Sequence, residues 1–104
     1  MLNQVVICGS VVEDVVLKET STGILYANIL MRVKREYRNS EGNYDSDTFS
    51  IVVWRSVAEQ CVSMCKQNVN IAIKGRLQSN MYNREDGTTF YNYEIIAEKV
   101  FVMD

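Results

Sequence analysis

Residues 47–82 read strand, helix, strand, and that order restricts what the rest of the chain can form. In DTFSIVVW, Phe49, Ile51 and Val53 alternate with Thr48, Ser50, Val52 and Trp54, so one pleat face is apolar and Trp54 lies on the other. RSVAEQCVSMCKQ follows as a helix. NVNIAIKGRLQSNMY then returns to a period of two, with Val69, Ile71 and Ile73 on one side and Asn70, Ala72, Lys74 and Arg76 on the other. A large ring and two cations are thereby expected on the non-core side of two neighbouring strands. Rings that stack on bases, beside cations that meet phosphates, are how proteins hold single-stranded nucleic acid.

The flanking segments add strands and further cations. Residues 2–12 are apolar on both alternating faces, with Val5 and Ile7 on one and Val6 and Cys8 on the other. Such a strand is covered on both sides, and in a chain of 104 residues the second cover is expected from another subunit. Residues 13–23 are polar and turn-like. Residues 24–34 form a long strand, with Ala27, Ile29, Met31 and Val33 facing one way and Tyr26, Asn28, Leu30, Arg32 and Lys34 the other. KREYRNSEGNYDSD then reads as a polar loop turning at Gly42 and Asn43. Arg32, Lys34, Arg35 and Arg38 fall close together around Tyr37. A charge run at a hairpin is ordinarily a solvated tip. The interleaved tyrosine and the matching Trp54, Lys74 and Arg76 favour phosphate contact instead. Residues 83–87 make a second tip, with Tyr82 and Arg84 beside it. Residues 90–97 form a strand whose Tyr91, Tyr93, Ile95 and Ala97 share one face, which assigns both tyrosines to the core. Residues 100–103 close the chain as a short apolar tail.

Composition excludes several classes. A net charge of −2 and a pI near 5.1 rule out a polycation, so phosphate binding has to come from local clustering. The 47% of hydrophobic residues argues against disorder. No apolar run approaches the ~20 residues of a membrane span. MLNQVVICG lacks the charged region and cleavage site of a signal peptide, and a cytoplasmic, nucleoid-associated location is expected. Cys8, Cys61 and Cys65 contain no CxxC pair, and with no histidine in the chain a zinc site lacks ligands. The cysteines are expected to be small buried hydrophobes, with Cys61 and Cys65 on one helical stripe. No metal or cofactor is expected.

Five strands with one helix between the third and fourth give the order β-β-β-α-β-β. This is an all-β chain forming a single OB-fold barrel over residues 1–104. Gly75, inside the fourth of these strands, suits the bend that a small closed barrel requires.

With these pieces in order, the chain resembles the bacterial and phage single-stranded DNA-binding protein family over almost its whole length. The resemblance rests on MLNQVVICG, STG before the second strand, IVVWRSVAEQ, KGRLQ and EIIAEKV. It implies an OB-fold homotetramer, a dimer of dimers, that wraps single-stranded DNA with little sequence preference in replication, recombination and repair. By the same resemblance the stacking rings fall on Tyr37, Trp54 and Tyr82. The phosphate-facing cations fall on Lys34, Arg35, Arg55, Lys74, Arg76 and Arg84. Thr48 stands where the family usually has an aromatic, and Ser10 where it often has a cation. The family recruits replication and repair proteins through an acidic tail, so those partners are expected only if such a tail exists outside this chain.

Two other classes compete. An OB barrel with weak DNA affinity could serve as an interaction module of a replication or primosome complex, which Thr48, Ser10 and the acidic balance favour. An enzyme has little support, since there is no histidine, no nucleotide-binding loop and no carboxylate pair on a recognisable scaffold. Glu94 and Glu98 read as solubilising charges on a strand.

Overall fold

In the computed structural model, which describes residues 1–103, the alternating segments become strands and the helix follows Trp54 directly. In chain order the elements are β1 (Val5–Val11), β2 (Lys18–Glu19), β3 (Leu25–Arg38), β4 (Tyr44–Trp54), α1 (Arg55–Met64), β5 (Asn70–Asn83) and β6 (Thr89–Val102). The neighbour order β1-β5-β6-β4-β3 returns to β1 through Ser10↔Arg32 and Val11↔Met31, so five long strands close into a barrel. The two-residue β2 adds only an edge on β3. Among the five long strands the helix lies between the third and fourth, as the OB order requires.

Burial follows the alternation. Ala27, Ile29, Met31, Ile51, Val53, Ile71 and Ile73 are buried on the inward faces, and Phe49, Ile7 and Ile95 pack against them. Ala58, Cys61 and Cys65 bring α1 onto the same core. The helix is shorter than the sequence suggests. It stops at Met64, with Cys65 as its cap and the Cys65 N–H donating to the Cys61 carbonyl at 2.8 Å. The neighbouring Cys65 thiol, and then burial, push the Cys61 thiol up. Cys8 departs from the expectation of burial: it is exposed on the outer face of β1.

Gly75 marks a close approach. A Cβ there would lie 2.0 Å from the Ile96 carbonyl oxygen, at the point where the β5–β6 register shifts between Lys74 and Gly75. The bend therefore depends on the missing side chain.

Several sequence expectations are corrected. The polar loop after Lys34 is mostly strand: β3 runs to Arg38 and β4 starts at Tyr44, leaving only residues 39–43 as the tip. Asn39 makes this short turn possible, because its side-chain oxygen accepts from the Glu41 and Asn43 N–H groups, both at 2.9 Å. Residues 100–103 are not a free tail, since Val100 and Val102 pair with Ile73 and Ile71 as β6 continues. Tyr91 and Tyr93 are not core residues. They pair with Met81 and Ser79 on the part of the β5–β6 hairpin that runs past the barrel, and Tyr93 is 66% exposed. The strand of Trp54 and the strand of Lys74 and Arg76 are not neighbours either, because β6 lies between them. Among the described residues no helix is long and apolar enough to cross a membrane.

Candidate nucleic-acid interface

The outer face of the β3–β4 hairpin carries one continuous row of side chains. Tyr26, Asn28, Leu30, Arg32 and Lys34 stand opposite Trp54, Val52, Ser50, Thr48 and Ser46, and beyond a register shift Arg38 stands opposite Tyr44. From Trp54 to Tyr44 the row spans about 33 Å, at ~3.3 Å per residue.

Trp54 forms one end. Its ring lies 5.4 Å from that of Tyr26, tilted by 35°, yet it remains 38% exposed. A partly buried tyrosine behind it fixes the indole and leaves area free for another flat group. Beside it, under the loop that follows β1, a cavity of about 310 Å³ is lined by Glu13, Asp14, Val16, Lys18, Asn28, Leu30 and Ser50. Further along, Arg32 has only the small Thr48 and Ser10 as cross-strand neighbours and is exposed. At the far end the Lys34 Nζ lies 4.6 Å above the Tyr44 ring centroid, and the Arg38 guanidinium carbon 5.5 Å from it.

The other cations differ in how free they are. Arg35 lies on the opposite side of the hairpin, where its Nη2 and Nε donate to the two carboxylate oxygens of Asp47 at 2.7 and 3.1 Å. Asp45 is 3.9 Å away on the same group. The hydrogen bond to Asp47, and then its charge, hold the guanidinium even more firmly protonated than usual, and the same bond holds the Asp47 carboxyl below its ordinary value. Lys74 stands opposite Val6 on one side and Lys99 on the other. Two like charges facing each other on a ladder repel, so this spot favours an anion. Arg76 donates to Gln78 at 3.0 Å and pairs across Ile96 with the level of Val52, about 10 Å away at two strand spacings. Although β6 separates the strands, this cation does reach the level of the β3–β4 row.

Arg55 opens α1 with a φ of +56°, a conformation that costs a side-chain-bearing residue on the order of 1 kcal/mol or more. No side chain caps that end and no acid lies in the first turn. Arg55 lines a second, smaller cavity with Glu59, Ser56 and residues 23–25.

On the β5–β6 hairpin, Tyr82 stacks against Phe90 at 6.3 Å and 29°, and the Arg84 guanidinium lies 4.9 Å from the Phe90 ring. The tip is fixed by Thr88, whose hydroxyl and N–H donate to the Asp86 carboxylate at 2.6 and 3.0 Å and hold it below its usual range. Tyr37 lies on β3 rather than in a loop and is 68% exposed.

Thus Trp54 and Lys34 share one row, Arg76 approaches it, and Tyr82 and Arg84 cluster on the second hairpin. Arg35 and Tyr37 gather on the Asp47 side, and Lys74 faces the β1 wall. The sequence reading missed Tyr26, Tyr44 and Phe90 as site residues. Tyr26 already stands on the outward face of its strand by alternation, and extending the alternation through each turn would have found the other two, since Tyr44 shares parity with Thr48 and Trp54, and Phe90 is the rung opposite Tyr82.

Comparison with known proteins places the chain among relatives named as single-stranded DNA-binding proteins. The single-stranded DNA-binding protein B of Bacillus subtilis is 32% identical over the whole chain, which covers 92% of that protein. The single-stranded DNA-binding protein 1 of Streptococcus pyogenes is 32% identical over the whole chain and 80% of its own length. A third relative, the single-stranded DNA-binding protein of Oceanobacillus iheyensis, is 34% identical over 96% of this chain, which spans 62% of that protein's length. The model of the single-strand binding protein family matches residues 2–103, and the chain belongs to that family.

Proposed function

We propose that this chain binds and protects single-stranded DNA, without catalysis and with little sequence preference, during replication, recombination and repair in the cytoplasm. The observation that carries the reading is Trp54, held half-exposed against Tyr26 at the head of a row that continues through Arg32 to Lys34 and Arg38. Bases stack on the rings, and the cations follow the phosphates. Tyr82 and Arg84 extend the contact to the second hairpin, with Arg76 between.

Trp54 is the sole tryptophan, so its emission reports the site directly. Titration with oligo-dT should quench it strongly, and Trp54→Ala should weaken binding by about 1–3 kcal/mol. Unchanged emission at saturating oligo-dT would remove the assignment. Affinity should also fall as salt rises, with a log–log slope of about −0.7 for each phosphate neutralised.

The working form is a homotetramer built from dimers. In support, the outer face of β1 leaves Val6 68% exposed, with Phe101 exposed two strands away on β6. A charge placed there, Val6→Glu, should lower the mass measured by light scattering. A wild-type monomer at micromolar concentration would overturn the assembly.

A weakly binding interaction module is favoured by a specific observation: Arg35 is neutralised by Asp47, and Thr48 offers no ring at mid-row. Oligo-dT affinity no better than millimolar, alongside an intact tetramer, would favour that reading.

A further inference from the structure

We infer that Tyr44, with Lys34 and Arg38, forms a nucleotide-binding station of its own at the far end of the β3–β4 face, taking a base on the ring and the adjoining phosphates on the two cations. The inference rests on the single-stranded DNA reading and adds a site to it.

Between Trp54 and Tyr44 the β4 side of the row offers Val52, Ser50, Thr48 and Ser46, none of which can stack. A strand laid along this face therefore meets a ring at each end, about 33 Å apart. Tyr44 is 43% exposed and absent from the apolar core cluster, so packing does not account for the ring. Two cations lie against it: Lys34 at 4.6 Å and Arg38 at 5.5 Å, the Arg38 Nε also donating to its hydroxyl at 3.4 Å.

The register explains how both cations come to one ring. Lys34 pairs with Ser46, so an unbroken ladder would set Glu36 opposite Tyr44. Instead β3 carries two extra residues between Lys34 and Arg38, and Arg38 takes that place. The irregularity removes a carboxylate from the ring's rung and supplies a guanidinium. Pleat alternation does the rest, since it turns Asp47 to the other side, where it pairs with Arg35. Among the described residues neither Lys34 nor Arg38 has a carboxylate partner within 4.0 Å. Two unneutralised cations against an exposed ring are suited to a nucleotide, with stacking for the base and charge for the phosphate.

A purely structural role, with the cations clamping the hairpin tip, makes different predictions. Moving the tryptophan to this position separates the two. In the Trp54→Phe, Tyr44→Trp variant the only indole sits at residue 44, and saturating oligo-dT should quench it. In the otherwise wild-type protein, Tyr44→Leu should raise the Kd for oligo-dT about ten-fold, read by Trp54 quenching, with the melting temperature checked alongside. Lys34→Gln and Arg38→Gln should each lower the salt slope by about 0.7. If the indole at residue 44 is unquenched and Tyr44→Leu binds like wild type while Trp54 is quenched, the station is absent and the DNA reading stands. If Trp54 in the unmodified protein is not quenched either, both fall together.

Discussion

The two long hairpins leave the same barrel but sort their side chains differently. On β3–β4, alternation separates charges: Lys34 and Arg38 accompany Tyr44 on one face, while Arg35 pairs with Asp47 and Asp45 on the other. The second face is satisfied and can remain in water. On β5–β6 both faces carry large side chains. Tyr82, Phe90 and Arg84 cluster on one, and Leu77, Met81, Tyr91 and Tyr93 stand exposed on the other. A run of bare apolar groups on one side of an arm marks a contact surface. On the proposed function, the contrast gives the first hairpin one contact surface and the second two, one for DNA and one for another subunit.

The largest expected effect lies at the root of the second arm. Gly75→Ala forces a Cβ against the Ile96 carbonyl, where backbone on both sides has to shift. Overpacking costs about 1–3 kcal/mol, and a backbone contact belongs at the upper end, so the melting temperature should fall by roughly 10 °C or more. Gly42→Ala at the tip of the first arm meets nothing within 4 Å and strains only a φ of +84°. It should cost about 1 kcal/mol. Equal melting curves for the two would show that the second arm is not pinned at Gly75.

An intermediate effect separates the two faces of the second arm. Tyr82→Ala should weaken oligo-dT binding by about 1–3 kcal/mol and leave the assembly mass unchanged. Replacing Tyr91 and Tyr93 with serine should do the reverse: lower the mass by light scattering, with little effect on the intrinsic affinity of a subunit. If both variants change only DNA binding, the arm has one function and the contrast with β3–β4 fails.

These predictions depend on features that the sequence revealed unevenly. The barrel was legible because Ile29, Met31, Ile51, Val53, Ile71 and Ile73 follow a strict period of two, and burial rewards that pattern. Trp54 was legible for the same reason, as the odd member of its strand. The hairpin extensions were not. Beyond the barrel rim no core enforces alternation, so Tyr91 and Tyr93 looked like a continuation of Ile95 and Ala97. Residues 35–38 looked like loop because they are charged, while what makes them strand is pairing with β4 and the short Asn39 turn. The slip that sets Arg38 rather than Glu36 against Tyr44 leaves no local trace, because it depends on where two distant strands lock together. Strand order was hidden likewise: β6 enters between β4 and β5 through only two parallel rungs, Ile51↔Ile95 and Val52↔Ile96.

The smallest effect tests the charge sorting on the first arm. Lys34 and Arg35 are adjacent, equally cationic, and equally plausible as phosphate ligands by sequence. The structure turns them to opposite sides and gives Arg35 a bidentate carboxylate. Lys34→Gln should therefore lower the salt slope of oligo-dT binding by about 0.7, whereas Arg35→Gln should leave it unchanged. The consequence of Arg35→Gln should appear in acid stability instead. Arg35 holds the folded Asp47 carboxyl below its ordinary value, which is about 3.9 in an unfolded chain. A depressed carboxylate contributes stability that is fully present above the unfolded value and is lost as pH falls through the lower folded one. The stability gap between wild type and Arg35→Gln should thus be constant at neutral pH, narrow below about pH 4, and close once Asp47 is protonated in both states. Denaturant melts from pH 7 to pH 2 would follow it. A gap that persists at pH 2 would mean Arg35 acts by packing its methylene stem, and a reduced salt slope would return it to the DNA side of the hairpin.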